Sequence, residues 1–347
     1  MALNVTVVGI GLVGEELVRC LKERQFPCAW PPRIAATRTR RETVAGETMD
    51  VFETTEKVFQ GADLVLFAGT EGASGASMRW RPVAEKAGAV SIDNGKDFRM
   101  ADDVPLVVPE VNADAVTPAT RFIASPNCST IQMVVALNPI RKAAGIRRIH
   151  VATFQATSGT GKRGPEELAR QTPAALGSRE NIPFDPGVFA RPIAFNCVPE
   201  IGGFGDDEYT SEELKMDRET KKIYGDPSIQ VSATCVRVPT FDGHAEAVWV
   251  ETEKPISADE AREALRGAPG VLLMDEPTEN GRRTYPTPLD VDRAPGRDLT
   301  MVGRVRKDTS VENGLALWCV SHNLRKGAAL NVVEIAENLV ARGIVKP

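Results

Sequence analysis

Residues 4–14 read Asn4-Val5-Thr6-Val7-Val8-Gly9-Ile10-Gly11-Leu12-Val13-Gly14. An apolar run of strand length enters three glycines spaced G-x-G-x-x-G, and Leu17, Val18 and Leu21 then recur on one helical face. A strand before and a helix after are the context in which this pattern carries meaning. Gly9 permits the tight turn, Gly11 lets a pyrophosphate approach the backbone, and Gly14 lets helix and strand pack closely. Gly9, Gly11, Leu12, Val13 and Gly14 are therefore the candidate dinucleotide-binding turn; a purely structural glycine turn is the competing reading.

The second strand is expected over residues 33–37. A chain that binds NAD carries an acid near the end of this strand, where it bonds the ribose 2′-hydroxyl. Here the sequence is Thr37-Arg38-Thr39-Arg40-Arg41. Guanidinium and hydroxyl groups suit a 2′-phosphate through charge-assisted hydrogen bonds, which points to NADP, with Thr37, Arg38 and Thr39 as contacts. Strand patterns recur at 63–69, 89–92, 106–108 and 122–124, with helical spacing through about Ala87. This alternation is that of a doubly wound, Rossmann-like parallel α/β sheet. Loops at the carboxyl ends of such strands form the ligand crevice, which brings in the loop after Gly69, starting at Thr70.

Ser125 to Pro139 reads S-P-N-C-S-T-I-Q-M-V-V-A-L-N-P. Pro126 and Asn127 mark a turn, and Ile131, Val134, Val135 and Leu137 repeat at helical spacing toward an expected stop at Pro139. Cys128 thus sits where a strand turns into a helix. The positive end of that helix favours a thiolate, and its free N–H groups suit an oxyanion on a carbon bonded to sulfur. Ser129 and Thr130 are expected to cap it.

Beyond Pro139 the pattern changes. A strand is expected over 148–155, then a glycine-rich, flexible segment over 156–164 that lacks the G-K-[ST] ending of a P-loop. Residues 173–209 are rich in Pro and Gly, with little periodicity. A helix over 211–224 is expected to open on Ser211-Glu212-Glu213. It places Glu212 and Lys215 three residues apart, where an ordinary surface ion pair is the simplest reading. Strands are expected at 229–238, 247–252, 300–307 and 315–321, and helices at 257–267 and 328–342. Hairpin connections suggest a mixed or antiparallel second sheet. Of the three histidines, His244 follows a glycine turn between strands and is the best acid/base candidate.

The bulk composition narrows the function. A net charge of −5 argues against nucleic acid or an anionic membrane as the main partner. No apolar run approaches the roughly 18 residues of a membrane span, and no secretory leader is evident. Six cysteines and three histidines are scattered without metal-ligand spacing, so neither a metal site nor a disulfide framework is expected, and a reducing cytoplasm is the expected location.

Several stretches together resemble the aspartate-β-semialdehyde dehydrogenase family. They are Ser125 to Met133 (S-P-N-C-S-T-I-Q-M), Asp103 to Asn112 (D-V-P-L-V-V-P-E-V-N), Gln155 to Gly159 (Q-A-T-S-G) and Ile193 to Asn196 (I-A-F-N). Tyr209 to Lys222, Val231 to Pro239 (V-S-A-T-C-V-R-V-P), Val302 to Asp308 (V-G-R-V-R-K-D) and Asn323 to Ala328 (N-L-R-K-G-A) are similar too, in the family's order along nearly the whole chain. The glycine turn is one residue shorter than the family's usual G-x-x-G-x-x-G.

The resemblance implies a Rossmann-like domain (1–128 plus 324–347) carrying an inserted α+β catalytic and dimerisation domain (129–323). It implies that Cys128 attacks aspartyl phosphate to form a thioester, that NADPH reduces it to the semialdehyde, and that His244 serves as general acid/base, taking the thiol proton. Gln155 would orient the substrate, Arg237 bind its α-carboxylate, Glu212 meet its amino group, and Arg99, Asn127 and Lys215 bind phosphate. Ser158, Gly159 and Asn323 join the cofactor set. A homodimer or homotetramer is implied, in biosynthesis of lysine by way of diaminopimelate, threonine and methionine. A related acyl-phosphate or acyl-thioester reductase and a catalytically silent nucleotide-binding relative are the alternatives.

Overall fold

The computed structural model describes residues 2–178, 180 and 182–346, in two compact units. One comprises Met1–Asn127 with Ala328–Pro347, the other Cys128–Gly327.

The first unit is built on seven strands. These are β1 (Val5–Val8), β2 (Arg33–Ala36), β3 (Arg40–Val44), β4 (Glu47–Glu53), β5 (Leu64–Phe67), β6 (Val90–Asp93) and β7 (Phe122–Ala124), in the order β3-β4-β2-β1-β5-β6-β7. All neighbours are parallel except β3 and β4. Strands buried on both faces read as continuous apolar runs, as β1 and β5 do. Helix α1 (Leu12–Glu23) buries Leu17, Val18 and Leu21, and the C-terminal helix Leu330–Ala341 joins the same core with Leu330, Val333, Ile335 and Leu339. Each such side chain stabilises the core by about 1.5–3 kcal/mol. Helix α2 (Ala76–Lys86) lies against β5 and β6.

One expectation for this unit is corrected, and one strand was not expected. Arg40 and Arg41 lie in β3, which turns back to β4 through Ala45 (φ 51°) and Gly46 (φ 84°). Two successive positive φ values make a tight hairpin turn, and an alanine in the first position hides that signal. Residues 106–108 form no strand: Leu106 makes a single bridge to Ala124, and the one-turn helix α3 (Pro109–Asn112) follows.

The second unit opens with α4 (Cys128–Ala144). It continues through β8 (Arg148–Gln155), α5 (Arg163–Gly177), α6 (Ser211–Tyr224), β9 (Gln230–Arg237), β10 (His244–Glu251), α7 (Ala258–Leu265), β11 (Val271–Leu273), β12 (Thr300–Asp308) and β13 (Gly314–Ser321). Its mixed sheet runs β11-β12-β13-β10-β8-β9, with β8–β9 and β11–β12 parallel and the rest antiparallel. Helix α4 is buried almost all round and packs on β10, β12 and β13 and against α6 and α7.

Pro139 does not end α4; the helix carries it internally for another turn. Proline removes the hydrogen bond to the Val135 carbonyl one turn back, and the burial of α4 on nearly all sides offsets that loss. Residues 156–164 are ordered: Thr157–Thr160 form a 3₁₀ turn whose Thr157 and Ser158 N–H groups donate to the carbonyls of Thr240 (2.9 Å) and Phe241 (3.1 Å). The aperiodic stretch expected from 173 starts only after α5 ends at Gly177, and its residues 179 and 181 lie outside the described ones. The cap of α6 is Thr210, not Ser211, paired with Glu213 in a reciprocal capping box.

Candidate active site

Side chains alternate faces along a strand, so sheet register decides which residues share a surface. His244 pairs with Ser321 on β13, and Gln155 pairs with Arg237 on β9. His244 and Gln155 extend the Ala245–Phe154 pairing by one residue, completing a row Ser321, His244, Gln155, Arg237 across four strand ends. The next row on the same face is Cys319, Glu246, Thr153 and Cys235. Beyond it the face turns apolar, with Val151, Val248 and Leu317 buried.

The first polar row is sealed from solvent, and Gln155 and Arg237 in it are bonded by their side chains. Gln155 accepts from the Thr153 hydroxyl (3.0 Å) and donates from Nε2 to Glu212 Oε1 (3.0 Å). Lys215 Nζ meets Glu212 Oε2 at 2.9 Å. Glu212 and Lys215 thus form more than a surface pair, because α6 turns Glu212 inward, where it is 5% exposed. Arg237 is equally buried, and its Nη1 donates to the Ala156 carbonyl (2.7 Å). Burial pulls its guanidinium pKa down, while the charges of Glu212 and Cys128 oppose that shift.

His244 is fully buried. Its Nδ1 accepts from the Ala156 N–H (3.0 Å), and its Nε2 has no hydrogen-bond partner. Burial, reinforced by the Arg237 charge, pushes the imidazole down to about 3, so the ring is neutral. Gly159 lies between Arg237 and His244: a Cβ there would stand 2.6 Å from Arg237 Nη1 and 3.3 Å from His244 Cε1 and Nε2. Cys128 is the first residue of α4 and half-buried, and Gly327 lies so close that a Cβ on it would meet the Cys128 Cβ at 2.9 Å.

Ser158 and Asn323 belong to this corner too. Asn323 Nδ2 donates to Ser158 Oγ (2.9 Å), and its Oδ1 accepts from the Gly243 N–H (2.9 Å), tying the 3₁₀ turn to the residue before His244.

In the first unit, Gly9 takes φ +100°, and any Cβ there would lie 2.5 Å from the Ala68 carbonyl. A Cβ on Gly14 would meet the Gly9 carbonyl at 2.0 Å, whereas Gly11 faces open space. Helix α1 has no side-chain cap, so the free N–H groups at Leu12 and Val13 suit a pyrophosphate. Thr37, Arg38 and Thr39 are exposed just after β2, with the Thr39 hydroxyl accepting from the Glu53 N–H (2.9 Å). Arg40 and Arg41 are engaged by Glu42 and Asp50. Thr70 is exposed after β5. Arg99 is buried and donates to the Asn94 carbonyl (2.9 Å), and Asn127 is buried at the end of this unit.

The Ala156 peptide and Glu246 escaped the sequence reading. A backbone group leaves no side-chain signal. Glu246 was legible, since alternation in H-A-E-A-V puts it on the face of His244. Among the described residues no group of three His, Cys, Asp or Glu is placed to hold a metal ion, and no helix is long and apolar enough to cross a membrane.

Residues 4–119 match the family description "Semialdehyde dehydrogenase, NAD binding domain", and residues 137–326 match "Semialdehyde dehydrogenase, dimerisation domain". The chain is 46% identical to an aspartate-semialdehyde dehydrogenase of Aquifex aeolicus over 99% of this chain and 100% of that one. It is 46% identical to aspartate-semialdehyde dehydrogenase 2 of Vibrio cholerae, over 97% of each. The crystal structure of aspartate semialdehyde dehydrogenase II complexed with ASA, from Vibrio cholerae, superimposes with a TM-score of 0.88 at 44% identity, covering 98% of this chain and 99% of that one. A nucleotide-binding domain, a dimerisation domain and full-length likeness agree: the chain belongs to the aspartate-semialdehyde dehydrogenase family.

Proposed function

We propose that the protein is an NADP-dependent, phosphorylating aspartate-semialdehyde dehydrogenase. It reduces L-4-aspartyl phosphate to L-aspartate 4-semialdehyde on the route to lysine, threonine and methionine. The observation that carries this reading is the polar row on the second-unit sheet, with Gln155, Arg237 and His244 side by side and Glu212 bonded to Gln155.

Cys128 attacks the acyl carbon, and phosphate leaves with the C–O electron pair. The α4 N-terminus stabilises both the thiolate and the oxyanion that follows. Arg237 takes the substrate α-carboxylate, for which a fork of donors is suited. Glu212 takes the amino group, and Gln155, held between Thr153 and Glu212, orients the chain between them. Phosphate binding by Arg99, Asn127 and Lys215 rests on the likeness of their surrounding motifs. The glycine turn at Gly9, Gly11, Leu12, Val13 and Gly14, with Thr37, Arg38, Thr39 and Thr70, would hold NADP, and Ser158, Gly159 and Asn323 its reactive end. Bound NADP supplies or receives the hydride that interconverts thioester and aldehyde.

The test is phosphate-dependent formation of NADPH from L-aspartate 4-semialdehyde, read at 340 nm with NAD in parallel. A phosphate-dependent signal with NADP supports the whole reading. A signal with NAD alone rejects the arginine-based cofactor assignment, and folded protein without signal on either rejects the activity. The active species is proposed to be a homodimer, and light scattering that finds only monomer at micromolar concentration would overturn that.

A further inference from the structure

The β11–β12 edge of the second-unit sheet gathers arginines without supplying carboxylates to match. A cavity of about 470 Å³ is lined there by Arg262 of α7, by Asp275, Arg282 and Arg283 from the segment between β11 and β12, and by Arg304 and Arg306 of β12. All lie in the second unit, and none belongs to the row of Ser321, His244, Gln155 and Arg237.

Asp275 is the one acid among the residues lining the cavity, and its carboxylate is fully engaged. Its Oδ2 meets Arg262 Nε at 2.7 Å and accepts from the Val305 N–H (3.2 Å), and its Oδ1 accepts from the Arg304 N–H (3.1 Å). Arg262 is held further by Asp259 (2.6 Å) and by the Val305 carbonyl. The other four guanidiniums have no such match. Arg283 donates to the Asp275 carbonyl and Arg306 to the Arg304 carbonyl (2.9 Å). Among the described residues, the exposed side chains of Arg282 and Arg304 meet neither a carboxylate nor a carbonyl. In a chain of net charge −5, this local excess of cations runs against the average.

The backbone is shaped to present these side chains. Arg282 and Arg283 follow Gly281 (φ 70°) in a tight turn, closed by the Thr278 N–H donating to the Arg282 carbonyl (2.7 Å). In β12, Gly303 pairs with Trp318 and Arg306 with Ala316, so two residues of β12 face one of β13 in a bulge. Arg304 sits in that bulge at φ 56°, a conformation that glycine or asparagine adopts more readily. The N–H groups of Arg304 and Val305, at the break in the ladder, are the two that buried Asp275 accepts. A fully buried carboxylate thus holds an exposed arginine in a strained place, which bulges do where a side chain must be re-aimed.

We propose that this cavity is a second anion site, separate from the candidate active site, that binds a compact polyanion carrying two or more phosphate or carboxylate groups. Guanidinium forks match the paired oxygens of such groups, and four of them without counter-charge repel one another until oxyanions enter. The volume is that of a small-molecule pocket and exceeds what one oxyanion fills. The inference is independent of the dehydrogenase reading.

The test is calorimetric titration of inorganic tripolyphosphate into the full-length protein at about 0.15 M NaCl, where exposed charges are well screened. Wild type is compared with Arg282→Ala/Arg304→Ala, which leaves Asp275 and Arg262 in place. Any phosphate-binding cofactor or substrate site is present in both proteins, so their difference reads the cavity. Wild type should take one more tripolyphosphate per chain than the variant, with a Kd of about 0.1 mM or tighter. Equal binding by the two proteins, or none by wild type, overturns the proposal. Arg282→Lys/Arg304→Lys keeps the charge and loses the forks; it should bind at least about tenfold more weakly, and equal affinity would reduce the site to bulk charge. A measurement on wild type alone uses phenylglyoxal, which modifies guanidinium groups, with peptide mass spectrometry. Tripolyphosphate or citrate should protect Arg282 and Arg304, and the better protector assigns the site to phosphates or to carboxylates. Arginines left unprotected by both overturn the proposal, and protection by poly-L-glutamate alone would replace it with an acidic protein segment.

Discussion

Replacing Glu246 with glutamine should change how the stability of the second unit depends on pH. Glu246 is fully buried on β10, one row behind His244. Its Oε2 has the Cys319 thiol at 3.4 Å, and Cys319 and the Gln132 amide both act to lower its pKa, against burial. Burial pushes its carboxyl up to about 8, from an ordinary value of 4.5. The folded protein therefore keeps this proton up to about pH 8, whereas the unfolded chain releases it near 4.5. Between those values the folded state binds more protons than the unfolded one, so stability falls as pH rises, by about 1.4 kcal/mol per unit. Glutamine carries no such proton. Referred to pH 4.5, the variant should gain on wild type by about 3 kcal/mol at pH 7 and by somewhat more at pH 8. The His244 contribution is common to both proteins and cancels in the difference. The Cys319 thiol, pushed well above its ordinary value, stays neutral throughout. The assay is urea unfolding at pH 5, 6, 7 and 8, followed by tryptophan fluorescence in a Trp30→Phe, Trp80→Phe background, which leaves Trp249 and Trp318 on the second-unit sheet as the reporters. A gap between wild type and Glu246→Gln that stays constant with pH would refute the reasoning, because it would mean that Glu246 titrates alike in the folded and unfolded chain.

Three further outcomes are expected. Cys128→Ala should abolish turnover while leaving NADPH binding intact by fluorescence titration, since the glycine turn lies in the other unit; loss of cofactor binding in folded protein would contradict this division of labour. Arg237→Lys should mainly raise the KM for the semialdehyde, because a point charge replaces a fork, and an unchanged KM with a lowered kcat would remove Arg237 from carboxylate binding. Gly159→Ala should lower kcat at least about tenfold, because its Cβ would stand 2.6 Å from Arg237 Nη1 and displace a side chain held at 2.7 Å from Ala156. An unchanged kcat there would mean that the turn yields freely.

Local patterns carried the reading wherever chemistry and chain order coincide. The strand, glycine turn and helix at the N-terminus are contiguous, so periodicity and three glycines defined them without tertiary information. Cys128 at a strand-to-helix turn was visible for the same reason, and the order of motifs pointed to the family. Local reading failed where a neighbour distant in sequence intervened. Pro139 looked like a stop until the surroundings of α4 held the helix together, and residues 156–164 looked mobile until the backbone at Thr240 and Phe241 pinned them.

By itself, then, the sequence determined most of the element types, the nucleotide-binding half, the position of the candidate nucleophile and the family, because each is written in residues near one another along the chain. Only the tertiary structure decided which side chains meet. Arg237, Gln155 and His244 come from three strands far apart in sequence, and sheet register alone sets them in one row. Burial turned Glu212 and Lys215 from a surface pair into part of the site. His244 Nδ1 is held by one backbone N–H that no residue type announces, since hydrogen bonding and desolvation depend on what surrounds a group once the chain has closed around it.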